Sequence, residues 1–243
     1  MSTDYKYNSW PLGNLPTEWQ RPEPAAIRKM GYRWEDPRDI IDLFESKLAN
    51  FTGSKYCVLT DSATSGIFLA LKYRNIQSEI SIPIQTYVSV AMQILASGAK
   101  LEFRNEEWSG IYELGSTNIF DSAARFGPNT YIGNDSLQVL SFQIKKRLPI
   151  GKGGAILTNS EEAYNWLKFS SYDGRNLKSK YTEKEHIVQF GWHCYMTPED
   201  AARGILLMDS IDSNFEDTMN WTNYPPLTDY EYFKSYKFQD GVK

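Results

Sequence analysis

The sequence contains few of the residues that build metal centres and disulfide frameworks. Its 243 residues include two cysteines, Cys57 and Cys194, and two histidines, His186 and His193. Two cysteines cannot form a disulfide framework, and two histidines cannot supply a histidine-rich metal site. The composition therefore excludes a disulfide-stabilised miniprotein, predicts no bound metal, and favours a reducing, cytoplasmic compartment.

An excess of positive charge and long apolar runs are also missing. The formal net charge is −4, whereas a surface that coats nucleic acid needs a basic excess. No stretch approaches the ~18 consecutive apolar residues of a membrane span, and the first residues lack the apolar core of a signal peptide. The sequence predicts no nucleic-acid partner and no membrane segment.

Prolines and tryptophans are concentrated near the start of the chain. The first 37 residues hold five of the eleven prolines, and proline fixes φ and removes a hydrogen-bond donor. Residues 1–38 are therefore interpreted as an extended N-terminal arm. Its tryptophans Trp10, Trp19 and Trp34 indicate that the arm packs on its own domain or on a partner subunit.

From Asp39 onward, helical and strand patterns alternate, which predicts an α/β protein of three layers, α/β/α, with a mostly parallel sheet. Residues 39–215 form this domain, and the aromatic tail 216–243 is expected to wrap back onto it. The predicted helices are Asp39–Asn50, Ile67–Lys72 and Tyr87–Ser97, and the predicted strands are Tyr56–Thr60, Glu79–Pro83, Ala99–Phe103, Thr117–Asp121, Leu137–Phe142 and Gly154–Thr158.

Polar residues follow the ends of several of these strands, where open α/β sheets bind ligands. They are Ser62, Ala63 and Thr64, then Thr86 and Tyr87, then Asp121, and finally the segment 141–154. Three of these segments have two possible interpretations. Residues 62–66 either only cap a helix or bind an anion at its N-terminus. Asp121 either caps a turn or faces a cationic ligand atom, and 141–154 is either a basic hairpin turn or part of a site.

The glycine patterns exclude two common phosphate-binding folds. The segment 141–154 lacks the glycine spacing and the Ser/Thr of a Walker loop, and no dinucleotide fingerprint follows the first strand.

Taken in order, these motifs resemble the DegT/DnrJ/EryC1/StrS family of sugar aminotransferases, which use pyridoxal 5′-phosphate (PLP) and belong to PLP fold type I. The resemblance covers residues 39–211. It rests on Ser62–Ile67 (similar to S-G-T-A-A-L), Ile82–Ser89 (P-x-x-T-[FWY]-V-[AS]), Phe120–Ala123 (E-D-A-A), Leu140–Gly154 (F-S-F-x-x-x-K-x-L-x-x-G-x-G-G) and Phe190–Thr197 (L-G-x-N-x-R-M-S).

The resemblance implies a role for each matching residue. Lys146 would hold PLP as a Schiff base and act as general base and acid, Asp121 would pair with the pyridine nitrogen, and Tyr87 would stack on the ring. The phosphate would be bound by Ser62, Ala63, Thr64 and Ser141, and by His193 from the second subunit of a homodimer with a shared active site. Family members that are dehydratases carry histidine at the lysine position, so Lys146 favours transamination.

The sequence also departs from the family. Ala124 stands where the family has glutamine, His193 replaces an asparagine and Tyr195 an arginine, and the segment before Asp121 is shorter. The aromatic tail is expected to take the place of the family's small domain. The resemblance and these departures leave two functions open. The first is an aminotransferase that passes an amino group from glutamate to a nucleotide-linked keto-sugar. The second is a catalytically impaired protein that binds cofactor or sugar nucleotide or serves as a partner subunit.

Overall fold

The helices of the chain begin and end where local sequence signals place them. The computed structural model describes residues 16–180 and 182–239. Helix α2 runs from Asp39 to Thr52 and ends at Gly53, whose φ of 84° lies in the left-handed region that favours glycine. The α-helices are α1 (Glu23–Lys29), α2 (Asp39–Thr52), α3 (Ala63–Arg74), α4 (Val88–Ser97), α5 (Glu161–Ser171) and α6 (Pro198–Met208).

The strands form one mixed sheet and one smaller parallel sheet rather than a single, mostly parallel sheet. They are β1 (Tyr56–Thr60), β2 (Glu79–Pro83), β3 (Lys100–Arg104), β4 (Tyr112–Glu113), β5 (Ile119–Asp121), β6 (Leu137–Ser141), β7 (Gly154–Thr158) and β8 (Lys237–Gln239). The larger sheet has the order β1-β7-β6-β5-β4, in which β5 and β6 are parallel and the other described neighbours antiparallel. The smaller sheet, β2-β3-β8, is parallel.

Helices cover both faces of the larger sheet, which confirms the three-layer α/β/α class. Alternate strand residues point to opposite faces, so Val58 and Val139 join one core and Leu59 and Leu140 the other. Helices α3, α4 and α5 pack in the first core, and α2 and α6 in the second. Both cores are largely solvent-free, because their central residues are at most a few per cent exposed.

A buried ion pair joins the layers near the start of the domain. Glu45 of α2 accepts the Leu59 N–H of β1 at 2.9 Å and the Lys168 amine of α5 at 2.9 Å. The Lys168 amine also donates to Asp42 at 3.0 Å. This pair ties α2 and α5, which lie on opposite faces, to the same edge of the sheet.

The two ends of the chain contact the domain. Residues Glu23–Lys29 form helix α1, so the expected extended arm is wrong over that range, where Ile27 is fully buried beside α2 and α6. Trp10 lies outside the described residues, Trp19 is 71% exposed, and Trp34 packs under the Arg28 guanidinium.

The tail after Ile211 wraps back onto the domain, as its aromatic content predicts. Leu227 donates its N–H to Ile84 at 2.9 Å, and the buried Phe233 ring meets the Phe103 ring of β3 edge-on. Strand β8 then extends the smaller sheet. None of the helices in the described part of the chain is long and apolar enough to cross a membrane.

Candidate active site

A cavity of about 560 Å³ opens where β1, β2, β5 and β6 end. Its volume is in the range of small-molecule and cofactor sites. Seven of the eight residues singled out from the sequence line this cavity, and they come from four separate stretches of the chain. They are Ser62, Ala63, Thr64, Tyr87, Asp121, Ser141 and Lys146.

The first turn of α3 forms one wall of the cavity. The Ser62 hydroxyl caps the helix by accepting the Ser65 N–H at 3.1 Å, which confirms the capping interpretation. The N–H groups of Ala63 and Thr64 belong to the first helical turn, where no earlier carbonyl can pair with them. They are available to an anion, and the helix dipole favours negative charge there.

Gly154, the first residue of β7, lets this helix terminus lie against the sheet. A Cβ at Gly154 would stand 2.4 Å from the Ala63 nitrogen, so a side chain would displace the first turn of α3.

The Thr64 hydroxyl donates to the Ser89 hydroxyl at 2.9 Å, which joins the starts of α3 and α4. Tyr87, at the start of α4, is 57% exposed at the mouth of the cavity.

The basic segment 141–154 connects the antiparallel strands β6 and β7, and it also reaches the cavity. It is therefore both a hairpin connection and part of the candidate site. Within it, Lys145 is exposed and Lys146 is half-buried, and the Lys146 amine donates to the Met219 Sδ at 3.7 Å. Burial lowers the pKa of Lys146, with attraction to Asp121 acting in the opposite direction. A lower pKa makes a larger fraction of this amine nucleophilic at neutral pH.

Asp121, the last residue of β5, is 6% exposed and faces the same cavity. Its Oδ1 accepts the Ala123 N–H at 2.9 Å, and its Oδ2 accepts the Tyr112 hydroxyl at 2.9 Å. Burial raises the pKa of Asp121, while these two hydrogen bonds and the positive charge of Lys146 act to lower it. The carboxyl group is thus buried, holds two donors, and lines the cavity, where a cationic partner would favour its charged form.

Two groups of lining residues were missed by the sequence analysis. Trp108 and Tyr112 lie in a stretch to which no element was assigned, and Tyr112 comes from the two-residue strand β4. Met219, Asn223 and Tyr224 belong to the tail. Its aromatic content predicts that the tail packs on the domain but does not show where.

An ion pair holds the tail at the cavity. The Arg125 guanidinium donates to both carboxylate oxygens of Asp217, at 2.8 and 2.7 Å. Backbone bonds follow: Thr218 donates to Ala124, Gly110 to Met219 and Trp221 to Trp108. Residues 217–224 therefore form a fixed wall beside Lys146, which we call the tail wall.

His193 does not join the other predicted residues. Its side chain is 66% exposed, its Nδ1–H donates to Asp173 Oδ2 at 3.0 Å, and it does not line the cavity of its own chain.

Together, the fold and the cavity define a class of protein. It is an α/β domain in which a buried carboxylate, a desolvated lysine and a helix N-terminus meet at the ends of the strands. The model of the DegT/DnrJ/EryC1/StrS aminotransferase family matches residues 30–105 and 118–226, and the chain belongs to that family.

Two curated relatives come from Campylobacter jejuni subsp. jejuni, strains 81-176 and NCTC 11168. Both are UDP-4-amino-4,6-dideoxy-N-acetyl-beta-L-altrosamine transaminases, 21% identical to this chain over 84% of its length. The chain spans 66% of the length of these relatives.

Solved structures share the fold. The sugar aminotransferase CalS13 of Micromonospora echinospora has a TM-score of 0.61 at 15% identity, over 77% of this chain and 64% of that one. NtdA of Bacillus subtilis, with bound cofactor PMP, has a TM-score of 0.60 at 20% identity, over 76% of this chain and 51% of that one.

Proposed function

We propose that this chain is a PLP-dependent aminotransferase and that Lys146 carries the cofactor. The observation that supports this most directly is the meeting, in one cavity, of a lysine whose pKa burial lowers and a buried carboxylate, Asp121. The chemistry of these donors fits PLP, which has an aldehyde for an amine, a ring nitrogen for a carboxylate and a phosphate for helix N–H groups. PLP, when bound, supplies an electron sink for bond cleavage at the α-carbon of an amino acid.

Each lining residue has a task in this proposal. Asp121 holds a proton on the ring nitrogen, and Tyr87 packs against the ring. The N–H groups of Ala63 and Thr64 would bind the phosphate, and the Ser62 and Ser141 hydroxyls, which line the same cavity, would add to its hydrogen bonds. With PLP bound, the Lys146 amine would serve as general base and acid and move the proton between the α-carbon and the C4′ atom.

We infer that the amino donor is glutamate and the acceptor a keto-sugar linked to a nucleotide. The support is family membership and the activities named for the Campylobacter relatives and CalS13. We further infer that residues 39–215 form the PLP-binding unit and that the tail wall completes its cavity. Because Cys57 and Cys194 are unpaired, a reducing cytoplasm is the compartment that we propose.

We also propose a homodimer in which His193 reaches the phosphate of the neighbouring site. His193 is exposed, and the nearby Ile187 and Phe190 side chains are 60% and 76% exposed, as residues at a subunit interface would be in a single chain. An imidazolium at that position would bind a phosphate more strongly than the neutral ring.

The test is the visible absorption spectrum of the purified protein with PLP, followed by glutamate. The proposal predicts the band of lysine-bound PLP, its loss on adding glutamate, and its return on adding the keto-sugar acceptor. Lys146→Ala should abolish the band, and the matched variant Lys145→Ala should retain it, since Lys145 is the exposed neighbour.

Two other results would contradict the proposal. A band that forms but does not respond to amino donors would favour the binding-only protein, an alternative that is consistent with Ala124, whose methyl group cannot hydrogen-bond a cofactor oxygen. No band at all would mean that the cavity does not hold PLP.

A further inference from the structure

We propose that Tyr112 is a positioning residue that holds the Asp121 carboxylate toward the cavity, and that Thr86 fixes the direction of the Tyr112 hydroxyl. This inference rests on the proposed function, in which Asp121 is the partner of the cofactor's ring nitrogen. Tyr112 belongs to a segment in which the sequence contains no recognisable motif.

The pairing of β4 with β5 places the two side chains together. Tyr112 is directly opposite Asp121 in this antiparallel pair, and directly opposite residues project to the same face of a sheet. The Tyr112 hydroxyl donates to Asp121 Oδ2 at 2.9 Å, while Oδ1 accepts the Ala123 N–H at 2.9 Å. Each carboxylate oxygen thus has one neutral donor.

The hydroxyl of Thr86 determines which way the hydrogen bonds run. Tyr112 and Thr86 are in hydrogen-bond contact through their hydroxyl oxygens, and either could donate by geometry alone. A phenol has a single proton, and the proton of Tyr112 goes to Asp121, so Thr86 must donate to Tyr112. The series of hydrogen bonds therefore runs from Thr86 through Tyr112 to Asp121.

Close packing keeps this chain of hydrogen bonds in place. Thr86 is 2% and Tyr112 4% exposed, and the Trp108 ring lies 5.0 Å from the Tyr112 ring, centroid to centroid. The Trp108 indole N–H donates in turn to the carbonyl of Gln85 at 2.9 Å, one residue before Thr86. Little of either side chain is therefore open to solvent.

The consequence concerns the charge and direction of Asp121. Burial favours the protonated carboxylic acid, and donors to the ionised form oppose that effect. Each oxygen has one donor, so the carboxylate keeps unused lone pairs, and it lines the cavity in which a protonated ring nitrogen would meet them. Without the hydroxyl, Oδ2 loses its donor and the carboxyl group is free to rotate or to take up a proton.

The experiment compares PLP with its 1-deaza analogue, which has carbon in place of the ring nitrogen. Dissociation constants are measured by tryptophan fluorescence quenching for the native chain, Tyr112→Phe, Asp121→Asn and the double variant. We expect Tyr112→Phe to weaken PLP binding by about 10- to 100-fold, as for a hydrogen bond to a charged group. Binding of the deaza analogue should change less than about threefold, and Tyr112→Phe should add nothing in the Asp121→Asn background.

Controls separate a positioning role from a general loss of structure. Tyr131→Phe removes another half-buried phenol hydroxyl, which donates to backbone carbonyls away from the cavity, and should leave PLP affinity unchanged. If Tyr112→Phe fails to fold, Thr86→Val is the second variant. It leaves the phenol in place and should weaken PLP binding by a smaller factor, again without effect on the deaza analogue.

Equal weakening of both ligands, or additive effects of Tyr112→Phe and Asp121→Asn, would overturn the inference while leaving the proposed function intact. If Asp121→Asn itself binds PLP as tightly as the native chain does, the assigned role of Asp121 in the proposed function fails instead.

Discussion

At the scale of single residues, burial of the Lys146 amine and the Asp121 carboxyl disfavours the charged form of each. It lowers the pKa of the amine and raises that of the carboxyl, and the attraction between the two charges opposes both shifts. An amine without its proton is the form that attacks an aldehyde. The desolvation that costs the folded protein stability is therefore the same effect that would activate Lys146 in the proposed function.

Replacement of Lys146 by methionine should stabilise the cofactor-free protein at pH 7. The amine has a lower pKa in the folded chain than its ordinary value of 10.5, so the unfolded chain binds more protons between those two values. The destabilisation of the folded chain by the buried charged amine is thus at its full size below the lowered pKa. It disappears as the pH rises past 10.5.

Thermal unfolding at pH 7 and pH 10 checks this prediction. The gain in Tm of Lys146→Met should be larger at pH 7 and shrink at pH 10, whereas Lys145→Met, at the exposed neighbour, should show no such dependence. A Tm for Lys146→Met below that of the native chain at pH 7 would show that the attraction to Asp121 outweighs desolvation.

At the scale of elements, local signals in the sequence predict most of the first half of the domain. Apolar spacing and Gly53 locate α2, and strand β1 was predicted to the residue. Helix α3 begins at Ala63 rather than at Ile67, because the Ser62 cap extends the helix beyond its apolar residues.

Non-local pairing explains what the sequence analysis missed. Strand β4 has two residues, and the position of Tyr112 depends on its register with Asp121, nine residues further on. The place of Met219 depends on the ion pair between Arg125 and Asp217, which are 92 residues apart. Neither arrangement leaves a periodic pattern that a short window of sequence could reveal.

Removal of the Asp217 carboxylate should release the tail wall. Asp217→Ala leaves Arg125 without a bidentate partner and should destabilise the fold by about 1–3 kcal/mol, as for hydrogen bonds to charged groups. Hydrogen exchange should then speed up at the N–H groups of Gly110, Thr218 and Trp221, which form the bonds that hold the wall.

A matched control is Glu231→Ala, since Glu231 forms an ion pair with Lys234 in the same tail but is 88% exposed. It should leave both stability and exchange at Gly110 unchanged, because exposed ion pairs contribute little. Unaltered exchange in Asp217→Ala would mean that packing alone holds the wall.

The buried pair between α2 and α5 gives a second prediction at this scale. Glu45→Ala removes the acceptor of both the Lys168 amine and the Leu59 N–H and should cost about 3–5 kcal/mol in unfolding free energy. The double variant Glu45→Met, Lys168→Met should be less destabilised than Glu45→Ala in urea denaturation, because no buried charge is then left unpaired; Asp42, which loses the Lys168 amine, is 62% exposed. Equal losses in both would show that the polar contacts are not the cause.

At the scale of the whole molecule, the proposed shared site predicts complementation between inactive subunits. A heterodimer of Lys146→Ala and His193→Ala chains has one site with both lesions and one intact site. Random exchange of subunits should therefore restore about a quarter of the native sites.

Light scattering at micromolar concentration should show a dimer. The variant Phe190→Glu, which places a charge on an exposed apolar position, should shift the dimer toward monomer.

The absence of complementation would place His193 outside the neighbouring site. A monomer in light scattering would contradict the shared site altogether.

Borohydride reduction followed by peptide mapping tests most directly whether Lys146 binds PLP. The reagent makes the bond between PLP and its lysine permanent, so mass spectrometry can locate the phosphopyridoxyl group. We expect this group on Lys146, which is half-buried in the cavity, at close to one per chain, and we expect none when Asp121→Asn is treated at the same low PLP concentration. Labelling of Lys145, or labelling scattered over surface lysines, would contradict this expectation.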